Sequence, residues 1–302
     1  MDWATIAILG TIALGMVNVL DSHLIVRRMP SLRAYLIPVS LVILVFSLTT
    51  FYLFPLPEGV GAWPLTVAVF SGILRTASVA ILLYVLKTEE VSWAVPLFYT
   101  YPVFVSVMAV PLLGEMLGYL QWLAIVIVVA GAVIVSKGQS PSGSVFRLGK
   151  PFFLLLGASL MMAVADVASK YALEYITFWN MYWIASLSLS VIFLLFALRP
   201  GVVKELVNMP RPGTAMALIT VNETLAMAGI VLVFWAMESG PVSLVATIAG
   251  SRPIFVFFLA VALNRILPDF LLEARSSRGA LAVRLAATAM IAGGIAIIYL
   301  AG

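Results

Sequence analysis

Apolar residues run in long unbroken blocks along this chain, and polar residues are confined mostly to short intervals between them. A helix crossing the hydrocarbon core needs about 20 mostly apolar residues. Ten runs meet that need: Trp3–Val26, Ala34–Phe54, Trp63–Leu86, Val91–Leu113, Tyr119–Ser136, Pro151–Tyr175, Phe178–Leu198, Thr214–Met237, Pro241–Leu263 and Leu281–Leu300. The runs are continuous rather than alternating, which excludes the strands of a membrane barrel. Helices also satisfy every backbone N–H and C=O without water. The first run follows Met1-Asp2-Trp3, with no basic segment before it and no small-residue cleavage site after it, so it reads as a retained span.

Composition agrees with this pattern. Hydrophobic residues make up 63% of the 302 and charged residues only 10%, with a mean hydropathy of +1.15. A soluble domain is about 25% charged. Lipid is therefore the expected solvent. The basic pI of about 9.4 does not point to nucleic acid, because the basic residues form no stripe or face. Cysteine is absent, which removes disulfide and thiol chemistry.

The positive charges alternate with the spans. Arg27, Arg28 and Arg33 lie between spans one and two, Lys87 between three and four, and Lys137, Arg147 and Lys150 between five and six. Arg199, Lys204 and Arg211 lie between seven and eight, and Arg265, Arg275 and Arg278 between nine and ten, with Arg284 at the loop end of span ten. The other loops and both termini carry none, and the remaining three of the 17, Arg75, Lys170 and Arg252, fall inside spans. The positive-inside rule puts the charged loops in the cytoplasm and both termini outside, in a bacterial or archaeal cytoplasmic membrane.

An internal repeat accompanies the alternation. Tyr101-Pro-Val-Phe-Val-Ser-Val-Met-Ala-Val aligns with Arg252-Pro-Ile-Phe-Val-Phe-Phe-Leu-Ala-Val, and the same offset carries Val91-Ser92 onto Val242-Ser243 and Leu74 and Ala77 onto Leu225 and Ala228. Val17-Asn-Val-Leu-Asp21 pairs more weakly with Ala165-Asp-Val-Ala-Ser169, and spans five and ten share Ala130-Gly131 and Ala292-Gly293. Five spans per repeat is an odd number, so the halves must enter the membrane from opposite sides, as in many transporters. The expected fold is all-α integral membrane, with ten transmembrane helices in two inverted five-helix repeats. The first repeat is residues 1–138, a Gly/Ser/Pro-rich linker loop is 139–150, and the second repeat is 151–302.

A central Pro in spans four and nine, Leu113-Gly114-Glu115 closing span four and a Gly-bearing fifth span after it resemble the EamA-type, ten-helix branch of the drug/metabolite transporter superfamily. The resemblance implies a permease. Two features depart from the family pattern. Leu263-Asn264-Arg265 replaces the Gly-Glu ending in the second half, and the charge bias puts the termini outside where the family usually has them inside.

A charge at mid-bilayer costs at least about 2.5–3.5 kcal/mol on insertion scales, so the intramembrane polar residues are the candidate site. These are Arg75 on span three, Asp166 and Lys170 on span six, Asn222 and Glu223 on span eight, Arg252 on span nine and Asn18 on span one, with Tyr99 and Tyr101 as aromatic lining. Asp166 and Lys170 are four apart and can pair along one helical face. Arg75 and Glu223, at comparable depth on corresponding spans, form a second candidate pair. His23 beside Arg27 and Arg28 reads as a solvated helix end, and Glu115 as a helix-end contact. Pro96, Pro102 and Pro253 should kink spans four and nine.

Three deep cations against two deep acids favour an anionic or zwitterionic solute, such as an amino acid or a phosphorylated compound, for which a planar Arg fork suits carboxylate or phosphate. Asp166 or Glu223 is a candidate for a coupling proton or ion. No P-loop and no Cys/His cluster is present, so no cofactor, no metal and no enzymatic role is expected. The first reading is a secondary transporter using alternating access, with a small solute and the lipid bilayer as partners. The alternative is a membrane-embedded enzyme or lipid-handling protein working at the cytoplasmic face through Pro268–Arg275.

Overall fold

A computed structural model describes residues 2–85, 98–137, 150–210, 212–256, 258–259 and 278–301. Trp93, Pro96, Lys87, Arg211, the linker at 139–149 and the loop at 264–277 lie outside the described residues. Among the described residues the regular secondary structure is all helical, with no strand. The helices are α1 (Trp3–His23), α2 (Leu32–Leu53), α3 (Ala62–Val85), α4 (Tyr101–Leu113), α5 (Tyr119–Lys137) and α6 (Lys150–Ala172). There follow α7 (Phe178–Ala197), α8 (Pro200–Val207), α9 (Pro212–Ser239), α10 (Val242–Gly250) and α11 (Arg278–Ala301). Six of them, α1, α2, α3, α6, α7 and α9, are long and apolar enough to cross a membrane. Shorter apolar helices run over Tyr101–Leu113, Tyr119–Gly131, Val242–Val256 and Ala286–Ile298. The short α8, between α7 and α9, had no counterpart in the sequence reading.

Local chemistry sets several helix ends. The Asp2 carboxylate accepts from Thr5 N–H at 2.7 Å and starts α1. Thr177 and Asn180 form a reciprocal capping box at the start of α7. Gly114 ends α4 at φ 68°, a left-handed conformation that glycine adopts without a Cβ clash.

The packing inverts that of a water-soluble protein. Tyr52, Leu195 and Leu300 are 80% exposed or more. Ser40, Ser71, Thr76, Ser78, Ser190 and Thr247 are buried. Hydroxyls on apolar helices either bond back one turn, as Thr76 does to Gly72 O at 2.8 Å, or tie neighbours together. Ser78 donates to Ala158 O at 2.7 Å, joining α3 to α6. Ser47 donates to Trp183 O at 2.8 Å and Ser190 to Ser40 O at 2.7 Å, joining α2 to α7. Such small and hydroxylated contacts replace the hydrophobic driving force that is missing in lipid.

Helix pairing follows a pattern. The most extensive contacts are α3 with α6, α1 with α9, α5 with α11, and α2 with α7, while α4 packs on α10 and α6. Glycine permits close crossings. A Cβ at Gly229 would meet Leu14 at 2.7 Å across α1–α9, and one at Gly294 would meet Val128 at 2.6 Å across α5–α11. Gly293, of the Ala292-Gly293 pair that spans five and ten share, has open space around it, and its neighbour Gly294 makes the approach.

Spans four and nine are interrupted, as their prolines suggest. A turn at Tyr99-Thr100 precedes α4, and a turn at Ser251 follows α10 before helix resumes at Arg252. The turns are closed by matching bonds, Val103 N–H to Thr100 O at 3.1 Å and Ile254 N–H to Ser251 O at 3.0 Å.

Candidate functional site

The two helix breaks present Tyr99, Tyr101 and Arg252 to the interior. Proline lacks the N–H that would continue the helical ladder. Pro102 and Pro253 therefore each leave a short non-helical step, and residues at the first step reach side chains on α1 and α6.

Arg75 on α3 donates to the Asp166 carboxylate on α6 at 2.7 Å, an ion pair. Its guanidinium also reaches Ser169 Oγ at 3.4 Å and Met162 Sδ at 3.6 Å, and lies 5.1 Å over the Phe234 ring. Ser169 is held by Ser71 Oγ at 3.1 Å and by its own bond to Ala165 O. Asp166 is 1% exposed, and the pair joins the two halves where α3 packs on α6.

Arg252 sits 5.9 Å over the Tyr99 ring. Its Nε is buried without a hydrogen-bond partner, and no carboxylate forms an ion pair with it among the described residues. Tyr99 OH accepts from Asn18 Nδ2 at 3.4 Å, and Tyr101 OH donates to Ala246 O at 3.4 Å. Tyr101 is within electrostatic reach of Arg75, Asp166 and Arg252. Six of the nine sequence candidates, Asn18, Arg75, Tyr99, Tyr101, Asp166 and Arg252, thus form one polar region.

The other three lie elsewhere. Lys170 Nζ donates to Met237 O, Glu238 O and Gly240 O at 2.7, 3.3 and 3.0 Å. It caps the C-terminus of α9, where the last carbonyls have no helical partner and the dipole favours a cation. The expected Asp166–Lys170 pair does not form, because an ion pair with Arg75 and a three-carbonyl cap each satisfy one member better. The expected Arg75–Glu223 pair does not form either. Glu223 precedes Phe234 by eleven residues, which places it about 16 Å along α9 from the ring beneath Arg75.

Asn222 and Glu223 instead meet Asp21. Asn222 Nδ2 donates to Asp21 Oδ1 at 2.6 Å and to Glu223 Oε1 at 3.3 Å. Tyr35 OH donates to Asp21 Oδ1 at 2.6 Å. Asp21 is one turn, about 4.5 Å, past Asn18 on α1, toward the Arg-rich loop. Glu115 behaves as expected of a helix-end contact: it accepts from Val242 N–H and Ser243 Oγ at 2.5 Å, capping α10.

Sequence reasoning missed Ser169, Met162 and Phe234 around Arg75, and Tyr35 beside Asp21. Ser169 aligned opposite Asp21 in the repeat, which was a usable signal. The two apolar contacts carried none. No group of three or more His, Cys, Asp or Glu able to hold a metal occurs among the described residues.

These features define a class: a helical membrane protein with polar side chains gathered where broken helices meet. The model of the EamA-like transporter family matches residues 1–137 and 149–272. The chain belongs to the EamA-like transporter family of the drug/metabolite transporter superfamily, whose members are membrane transporters of small solutes. A solved structure described as "Crystal structure of protein" is similar in fold, with a TM-score of 0.68 and 18% identity over 99% of this chain and 96% of that one. No curated protein matches the sequence.

Proposed function

We propose that this chain is a secondary transporter that binds a small anionic or zwitterionic solute at the polar region around Arg252 and moves it by alternating access. The observation that carries this reading is Arg252: its Nε is buried without a partner, and among the described residues the only carboxylate in the region, Asp166, is engaged by Arg75. Two guanidiniums face one acid, so the region has a formal surplus of one positive charge. A carboxylate or phosphate would meet the surplus, and Arg presents a planar fork to either. Tyr99 and Tyr101 offer rings and hydroxyls to the remainder of the solute.

We read the spans as ten in two inverted repeats, the architecture on which alternating access rests. Exchanging each span with the one five places away turns the α3–α6 pairing into α9–α1 and leaves α2–α7, α4–α10 and α5–α11 as they are. The matched turns at Thr100 and Ser251 point the same way. Discontinuous helices near the repeat interface are where such transporters bind their cargo. The charged loops put both termini outside.

A thermal-shift screen of the purified chain against amino acids, sugar phosphates, nucleosides and organic cations tests the solute class. A ligand at 100 times its Kd stabilises the folded state by about 2.7 kcal/mol. Anions or zwitterions should raise the melting temperature of the wild type and not of Arg252→Ala. Stabilisation by organic cations alone overturns the reading.

A further inference from the structure

The Asp21–Asn222–Glu223 cluster stands apart from the region around Arg252 and plays no part in the solute reading. We infer that it is a proton site, with the proton on Glu223 and the charge on Asp21, and that it couples the transport cycle to proton movement.

Three observations lead there. First, neither carboxylate forms an ion pair among the described residues, although Glu223 is only 6% exposed. Two carboxylates joined through one amide, Glu223 buried and Asp21 half-buried, cannot both stay charged at an acceptable cost in a low-dielectric setting, and the more buried of such groups neutralises by taking up a proton. Second, the donors are unequal. Asp21 accepts two bonds of 2.6 Å, from Tyr35 and Asn222, while Glu223 receives one long contact of 3.3 Å. Hydrogen bonds to a charged form favour it, so the charge settles on Asp21 and the proton on Glu223. Third, Asn222 is fully buried, yet its Oδ1 has no partner. An acceptor left unmet beside a carboxyl is what the O–H of a protonated acid satisfies.

Among the described residues no cation forms an ion pair with either acid. Facing the pair are Tyr35 from α2 and Tyr182 from α7. His23, Arg27 and Arg28 follow Asp21 at the end of α1, where Arg28 donates to His23 at 3.3 Å. Helix α10, which packs on both α1 and α9, has no titratable side chain over Val242–Gly250. Asp21 and Glu223 lie on α1 and α9, the pair that crosses at Gly10 and Gly229. A change of proton occupancy therefore acts on the contact that α1 and α9 make between the two halves.

The coupling part of this inference rests on the transport reading, and the proton site does not. Infrared spectroscopy of the whole chain in liposomes tests the site directly, without any solute. A protonated carboxyl has a C=O stretch distinct from carboxylate and amide bands and sensitive to H/D exchange. The wild type at neutral pH should show one such band, retained in Asp166→Asn and lost in Glu223→Gln. Replacing sodium by choline at fixed pH should leave the band unchanged. A band that survives in Glu223→Gln overturns the site, and a band that weakens when sodium is added assigns it to a metal cation instead. Flux in proteoliposomes, with the solutes found by thermal shift, tests coupling: a pH gradient should drive wild-type flux and not that of Glu223→Gln. Gradient-driven flux in that variant rejects coupling while leaving the solute reading intact. A wild type that binds and moves none of the solutes rejects the solute reading, and the infrared band still decides the proton site.

Discussion

Two polar clusters lie along the same interface, and they solve the problem of burying charge in opposite ways. At Arg75, Asp166 and Arg252, opposite charges meet and one cation is left over. At Asp21 and Glu223 there are acids alone, bridged by Asn222. The first arrangement stays charged and is suited to a charged solute. The second is suited to the one cation that needs no coordination shell. Asn18 and Asp21, a single turn apart on α1, bring the clusters into neighbourhood without merging them.

The sharpest test of that contrast is to neutralise one acid in each cluster by an isosteric amide. Asp166→Asn leaves the half-buried Arg75 guanidinium with no counter-charge; losing one member of a fully buried pair costs about 3–5 kcal/mol, and the loss here should be the smaller part of that range or somewhat below it. Unfolding of the reconstituted protein by heat or detergent should show that loss. The double variant Arg75→Met/Asp166→Leu should recover most of it, because a well-packed apolar pair replaces a buried ion pair with little penalty. Glu223→Gln, by contrast, replaces a neutral acid with a neutral amide and should change stability by less than about 1 kcal/mol. Equal losses in Asp166→Asn and Glu223→Gln would erase the distinction between the clusters.

The next effect is functional. Arg252→Ala should reduce solute affinity about tenfold or more, since hydrogen bonds to a charged group contribute about 1.5–3 kcal/mol. Arg252→Lys, which keeps the charge and loses the planar fork, should fall between that variant and the wild type. Binding titrations with the screened solute check both, and equal affinity in all three removes Arg252 from the site.

Smaller effects belong to the residues that only hold helices in place. Lys170→Met removes the three-carbonyl cap from α9 and should lower stability by about 1–2 kcal/mol with solute affinity unchanged. Glu115→Gln weakens the cap on α10 and should lower it by about 0.3–1 kcal/mol. A large change in affinity in Lys170→Met would return Lys170 to the solute site, where sequence reasoning had put it.

The membrane class and the helical character were legible because hydrophobic runs are a property of the chain itself. So were the breaks at Pro102 and Pro253, where a missing N–H is a local fact. The residues of the polar region were legible as types, since a charge in an apolar run is conspicuous wherever it folds. Their partners were not. Spacing offered Asp166–Lys170 along one helix, and depth offered Arg75–Glu223 across the halves, yet neither pair formed.

The reason is geometric. Sequence spacing settles which side chains share a face of one helix, and so it offered the apolar helices and the polar residues that lie on them. It says nothing about how far each helix is rotated about its axis or which neighbour it packs on. Only the tertiary structure sets α3 on α6 and α1 on α9, through crossings such as Gly10–Gly229. Those rotations turn Arg75 to Asp166, leave Arg252 over Tyr99, and gather Asp21, Asn222 and Glu223 into a separate acidic cluster.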